Sequence, residues 1–307
     1  MNFTTIAKAK KQTGFAYLGK INTSSKLIRN LKVGHYTYSL NLSPANTSGY
    51  NTCSHSTPEC RLGCLATSVR SAIEFFSGKN IIKNCRINKT RLLYTDPEFF
   101  MQWLIADLKL LQIKAKKDGF FISARLNTIS DVDWSNIFID NLNIFEIFPE
   151  IQFYDYTKNF NKFEYKPNNY HLTYSFTGRN TEQCLNLLNK GYTIAVVFNV
   201  KHEADLPKYF MGYKVVNGDL TDYRPLDPKG CVVGLKWKRI GDRKAEAKVL
   251  KSCFVVDPLT DERCSVETIN VQVENVSSPI VQKENVNNLI EMNILNNSIY
   301  NNISVMV

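Results

Sequence analysis

The chain is 307 residues long, 44% apolar and 12% aromatic, with a formal net charge of +10. That much apolar material can bury one large core, which excludes a disordered chain, and no apolar run reaches the roughly 20 residues needed to cross a bilayer. With no apolar signal core at the amino terminus the protein is expected in the cytoplasm, where its eight cysteines are better explained by metal ligation or buried thiols than by disulfides.

The positive charge is concentrated at the start. Lys8, Lys10, Lys11, Lys20, Lys26, Arg29 and Lys32 all precede the first acidic residue, Glu59. Residues 1–34 therefore read as a basic leader able to meet nucleic acid, with Tyr17, Tyr36 and Tyr38 interleaved as stacking platforms. Concentrations of β-formers predict strands at 15–18 and 35–42.

Residues 53–64, CSHSTPECRLGC, place three thiols, Cys53, Cys60 and Cys64, in twelve positions. Thr57 suits an N-cap, Pro58 the first helical position and Glu59 the first turn, so a helix is expected from Pro58. Leu62, Leu65, Ala66, Val69, Ala72, Ile73 and Phe76 carry it on as an apolar stripe to about Ser77. At about 100° per residue Cys60 and Cys64 lie within about 40° of each other, away from that stripe and near the helix end whose dipole favours thiolates. Cys53 folds back from the preceding loop. Three such thiolates suit a [4Fe-4S] cluster with one open iron, or a zinc ion completed by a fourth ligand such as His55, and the spacing does not choose between them. Cys85, Cys184, Cys231, Cys253 and Cys264 show no ligand spacing and read as structural.

A second unit opens with a strand at 91–94, after which Asp96-Pro97-Glu98 starts a helix that buries Phe100, Trp103, Leu104, Leu108 and Leu111 and stops at Gly119. Short apolar runs follow at 120–126, 151–156, 171–176, 193–200, 214–216, 231–236 and 253–256, with helical patterns at 134–148 and 180–189. This alternation predicts an α/β fold: a parallel β/α barrel over 35–264, complete or partial, with a doubly wound sheet as the alternative.

In such a barrel the carboxyl ends of the strands share one face. The polar residues there are expected to meet the cysteines in one pocket: Arg125, Asn127, Asp131 and Asp155, with Lys158 at the margin. Arg125 would clamp an anionic group, Asn127 and Asp131 would orient polar substrate atoms, and Asp155 would hold Lys158 or a cofactor hydroxyl. The alternative is that Arg125 and Asp155 pair to close the rim. Residues 265–307, with ten Asn, fourteen Val or Ile and one basic residue, form a C-terminal tail outside the barrel.

Several fragments carry a family resemblance: LSPANTSGYNTC at 42–53, the cysteine stretch itself, RLN at 125–127 with SDVDW at 130–134, FYDYTK at 153–158 and HLTYSFTG at 171–178. Over residues 15–258 the chain resembles the phage gene-product eighty-eight family. That resemblance implies a bacteriophage or prophage origin and a cytoplasmic place in the infected host, and little about activity. A weaker resemblance is to radical S-adenosylmethionine enzymes, in which a cysteine loop after the first barrel strand holds a [4Fe-4S] cluster whose open iron binds the cofactor. The departures are the spacing, six and then three intervening residues instead of three and two, Gly63 where an aromatic is usual, and no Gly-Gly-Glu-like segment. The expected function is an iron-sulfur protein that uses S-adenosylmethionine to modify a nucleotide or macromolecule, with a nucleic-acid-binding protein carrying structural zinc as the alternative.

Overall fold

The computed structural model describes residues 5–67 and 81–264, all within one compact unit, Met1–Ile269. The continuation of the cysteine helix through Val69 to Ser77 and the C-terminal tail lie outside the described residues.

The helices in chain order are α1 (Ile6–Thr13), α2 (Ser25–Arg29), α3 (Pro58–Leu62), α4 (Ile81–Thr95), α5 (Pro97–Asp118), α6 (Ile144–Ile147), α7 (Thr181–Asn189) and α8 (Arg243–Leu250). The strands are β1 (Lys20–Ile21), β2 (His35–Ser39), β3 (Phe121–Arg125), β4 (Phe138–Ile139), β5 (Leu142–Asn143), β6 (Gln152–Thr157), β7 (Tyr170–Ser175), β8 (Thr193–Phe198), β9 (Tyr209–Phe210), β10 (Tyr213–Asn217), β11 (Val232–Lys236) and β12 (Val255–Val256).

The main sheet runs β1-β2-β3-β6-β7-β8-β11-β10-β9, and β12 pairs with the end of β8. Every pairing from β2 to β10 is parallel, and the two-residue edges β1 and β9 pair antiparallel. The fold is therefore mixed α/β with a largely parallel central sheet. Among the described residues it is not closed by hydrogen bonds: the ladder ends at β1 and β9, so the expected barrel, complete or partial, is not confirmed and an open α/β sheet stands in its place. Side chains bridge the ends instead. The backbone amide of Asp222, in the loop after β10, donates to Asn30 Oδ1 at 3.3 Å, and the rings of His35 and Tyr223 stack at 4.1 Å.

Strand alternation sorts the sheet into two unlike faces. One carries Tyr38, Ala124, Phe153, Leu172, Tyr174, Ile194, Val196 and Phe198, all buried in the main apolar core. The long helix α5 packs there, opened by Asp96, whose carboxylate accepts from the Phe99 amide, and closed by Gly119 in the left-handed conformation that spares glycine a Cβ clash. Its expected face, Phe100, Trp103, Leu104, Leu108 and Leu111, is buried throughout. The other face is polar in the first strands. Thr37 lies beside Ser123 and Ser39 beside Arg125, and Asn30 Nδ2 donates to Thr37 Oγ1 and to the Tyr154 hydroxyl.

The described part of the basic leader, residues 5–34, packs onto this core through Ala9 and Leu18 while Lys8, Lys10 and Lys11 stay exposed. Ala9, Leu18, Leu27 and Asn30 are buried, and β1 is a sheet edge. Residues 15–18 form no strand. Residues 91–94 belong to α4, because Arg91 to Tyr94 have no break before the cap at Asp96. Residues 134–148 are a 3-10 turn, the β4-β5 hairpin and the short α6, since Asp140 and Asn141 take left-handed backbone conformations that interrupt a helix. No helix among the described residues is long and apolar enough to cross a membrane.

Candidate functional site

At the carboxyl ends of the parallel strands lies a cavity of about 1130 Å³. Its lining includes Cys53, Cys60 and Cys64, and also Arg125, Asn127, Asp131, Tyr156 and Lys158.

The cysteine helix is shorter than its sequence pattern implies. Thr57 Oγ1 accepts from the Cys60 amide at 3.2 Å and Pro58 begins α3, but the helix stops at Leu62. The reason is Gly63: a Cβ there would sit 3.0 Å from the Trp237 ring, so the indole packs directly against the chain and the backbone turns away. Cys64 consequently lies beyond the helix, and Leu62 and Leu65 are exposed rather than the start of a buried stripe. Cys60 and Trp237 both pack against the small cluster of Val249, Phe254 and Val255. The Cys53 sulfur accepts from the Ala45 amide at 3.4 Å and points its thiol towards the Ile129 carbonyl.

All three cysteines are half-buried. Burial, reinforced by Cys60 and Cys53, pushes the Cys64 thiol up to about 11, so it is protonated at neutral pH and not the dipole-favoured thiolate of the sequence reading. Among the described residues no three His, Cys, Asp or Glu side chains stand close enough together to hold a metal ion as placed. The donor chemistry nonetheless suits a thiophilic centre, since three thiols line one cavity and His55 turns aside to Ser54 Oγ at 2.9 Å.

Lys158 is half-buried in the cavity wall. Burial acts to lower its pKa, but Cys60, hydrogen-bonded to it, and Asp131 outweigh that and hold it above the ordinary lysine value. Lys158 makes no ion pair with a carboxylate of the described residues.

Asn127 and Asp131 face the cavity with their polar atoms already taken. Asn127 Oδ1 accepts from Ser130 Oγ and the Val132 amide, both at 2.9 Å, and its Nδ2 donates to the Val132 carbonyl. Asp131 accepts from Lys162 Nζ at 2.7 Å, Thr157 Oγ1 at 2.8 Å and the Lys158 amide at 2.9 Å, while its own amide donates to the Thr52 carbonyl. It thus ties the segment leading into the cysteine loop to the end of β6.

Arg125 and Asp155 part company. Arg125 Nη1 donates to both Asp222 oxygens at 2.9 Å, and its guanidinium lies over the Tyr156 ring. Asp155 is absent from the cavity lining, because one step along β6 from Tyr154 or Tyr156 turns a side chain to the opposite face. There it accepts from the Asn127 amide at 2.8 Å and the Tyr170 hydroxyl at 3.0 Å. It neither pairs with Arg125 nor holds Lys158. Sequence reasoning passed over Asp222, Tyr156 and Trp237. Tyr156 was reachable from its two-residue offset from Tyr154, whereas Asp222 sits in a loop with no local signature.

Among the described residues the three tyrosines interleaved with the basic leader are each already engaged, although Tyr17 stays exposed. Tyr38 is buried with its hydroxyl on Asp107, Tyr36 stacks on Phe120 and donates to Asp118, and Tyr17 is covered by Lys20 and Lys89.

Fold and cavity together define a mixed α/β protein with a cysteine-lined site at the carboxyl ends of a parallel sheet. The chain belongs to the gene product 88 family, a phage gene-product family, whose sequence profile matches residues 5–252 and so spans the whole cysteine loop. No curated protein and no solved structure matches it, and nothing in these comparisons supports the weaker likeness to radical S-adenosylmethionine enzymes.

Proposed function

We propose that this phage protein binds an iron-sulfur cluster through Cys53, Cys60 and Cys64 at the cavity wall. The observation that carries the reading is Lys158: an ammonium in the wall of a cavity, hydrogen-bonded to Cys60 and without a carboxylate ion pair among the described residues. Cys60 and Asp131 already favour the Lys158 charge from one side, and an anionic cluster on the cysteines would add to that from within the cavity. Binding would deprotonate Cys64 and draw residues 53–64 together, as metal ligation does with raised thiols.

When bound, such a group supplies one-electron chemistry at an open iron, with S-adenosylmethionine as the cofactor it would serve. The chain's own residues have separate tasks. Lys158 offsets the ligand-set charge, Asp131 and Asn127 fix the loops that present the thiols, and Val249, Phe254 and Val255 back Cys60 with apolar surface.

Anaerobic purification with iron and sulfide reconstitution tests the reading. About four iron and four sulfide per chain are expected, falling close to zero in Cys53→Ala, Cys60→Ala and Cys64→Ala and unchanged in Cys253→Ala. Colourless protein carrying one zinc per chain after reconstitution would overturn it.

A further inference from the structure

The geometry points to a phosphate subsite in the same cavity, formed by Lys26, Lys236 and Lys238 around Asp219, so that the ligand worked on there is phosphate-bearing. The inference rests on the reading of the cavity as a working site and adds the chemical class of what enters it.

The described lining holds eight basic side chains, Lys26, Arg61, Lys83, Arg86, Arg125, Lys158, Lys236 and Lys238, against four carboxylates, Asp131, Asp219, Asp222 and Asp242. Each of those carboxylates is already engaged. Asp131 holds Lys162, Asp222 holds Arg125, Asp242 caps α8 through the Lys244 and Ala245 amides, and Asp219 pairs with Lys26 and accepts from the Lys236 amide at 2.8 Å. Lys236 and Lys238 make no ion pair within the described residues, yet both line the cavity and Lys236 is half-buried. Lys26 and Lys238 act on Asp219 through their charges and Lys236 joins it through its backbone amide, so this part of the lining carries three basic residues against one carboxylate, an excess that suits a phosphate monoester at neutral pH.

Two further polar atoms of the lining residues are buried without a partner, Arg125 Nε and Thr128 Oγ1. Buried polar groups are ordinarily satisfied, so their neglect in a cavity wall marks places for a ligand's polar atoms. Trp237 lies between Lys236 and Lys238 in sequence and packs against Gly63, which sets the subsite next to the cysteine loop. The volume exceeds that of ordinary small-molecule sites, roughly 300–1,000 Å³, so a nucleotide-sized body fits beside the thiols. The charge of the amino-terminal segment has a partial explanation here, because Lys26 is the one of its basic residues that lines the cavity.

Binding to the full-length protein by calorimetry tests the assignment, with AMP against adenosine and a 5′-phosphorylated dT hexamer against the unphosphorylated one. In at least one pair the phosphorylated member is expected to bind tenfold or more tightly. The pair that responds identifies whether the phosphate comes from a small nucleotide or a strand end. The Lys236→Gln/Lys238→Gln protein should lose at least tenfold of that affinity and Lys236→Arg/Lys238→Arg should keep it, with unchanged melting temperature and iron content. Cys60→Ser should still bind the phosphate, so failure of the cluster reading leaves this result standing. Equal binding of both members of both pairs, or wild-type affinity in the Gln variant, would overturn the subsite.

Discussion

The two faces of strands β3 and β6 differ in what their polar residues do. On the cavity face, Arg125 and Tyr156 sit at the edge of open volume, and Arg125 keeps a buried nitrogen without a partner. On the opposite face, one residue along, Asp155 is 1% exposed with its oxygens taken by Asn127 and Tyr170. A carboxylate at a strand end is therefore no guide to a site until its parity on the strand is known.

That contrast can be broken most severely at the floor of the cavity. Asp222 is almost fully buried and depends on Arg125, so Arg125→Ala should cost about 4 kcal/mol in urea unfolding, because it strands a buried charge. The double variant Arg125→Ala/Asp222→Ala should be less damaged than Arg125→Ala alone. A loss in the single variant below about 1 kcal/mol would show that the pair is solvated and the floor open.

On the packed face, Asp155→Ala should cost about 3 kcal/mol by leaving the Asn127 amide and Tyr170 hydroxyl unpaired, without changing ligand or metal content. Its titration sharpens the point. Burial lifts the Asp155 carboxyl from 3.8 to about 7, against the opposing pull of Arg125 and its hydrogen-bond donors. A raised folded pKa means the native state binds the proton more tightly, so this contribution is complete below about pH 4 and is lost as pH rises towards 7. Asp155→Asn should flatten the pH dependence of stability across that window, and an unchanged slope would place the titration elsewhere.

Much of this was legible before the structure. The spacing of Phe100, Trp103, Leu104, Leu108 and Leu111 and the caps at Asp96 and Gly119 specify α5 locally, and the apolar runs at 120–126, 151–156 and 193–200 contain strands β3, β6 and β8 because β-formers dominate them. The convergence of Cys53, Cys60 and Cys64 with Arg125 and Lys158 followed from parallel connectivity alone. What stayed hidden depended on tertiary contacts. α3 ends at Leu62 because Trp237, far along the chain, needs the space of Gly63. Asp155 faces away because sequence alternation says which residues share a face but not which face is inside. Arg125 pairs with Asp222 because a loop after β10 crosses to the first strands, and no local pattern encodes that crossing.

The three thiols of residues 53–64 are expected to act as one set on one cavity ligand, apart from the other cysteines. Cysteine footprinting by mass spectrometry, before and after iron and sulfide reconstitution under anaerobic conditions, tests it most directly. Cys53, Cys60 and Cys64 should all alkylate in the metal-free protein and be protected together, to the same extent and at the same iron loading. The exposed Cys253 should react in both states, and the buried Cys184 and Cys231 in neither. Protection of only one or two of the three, or none at full iron loading, would contradict a shared site.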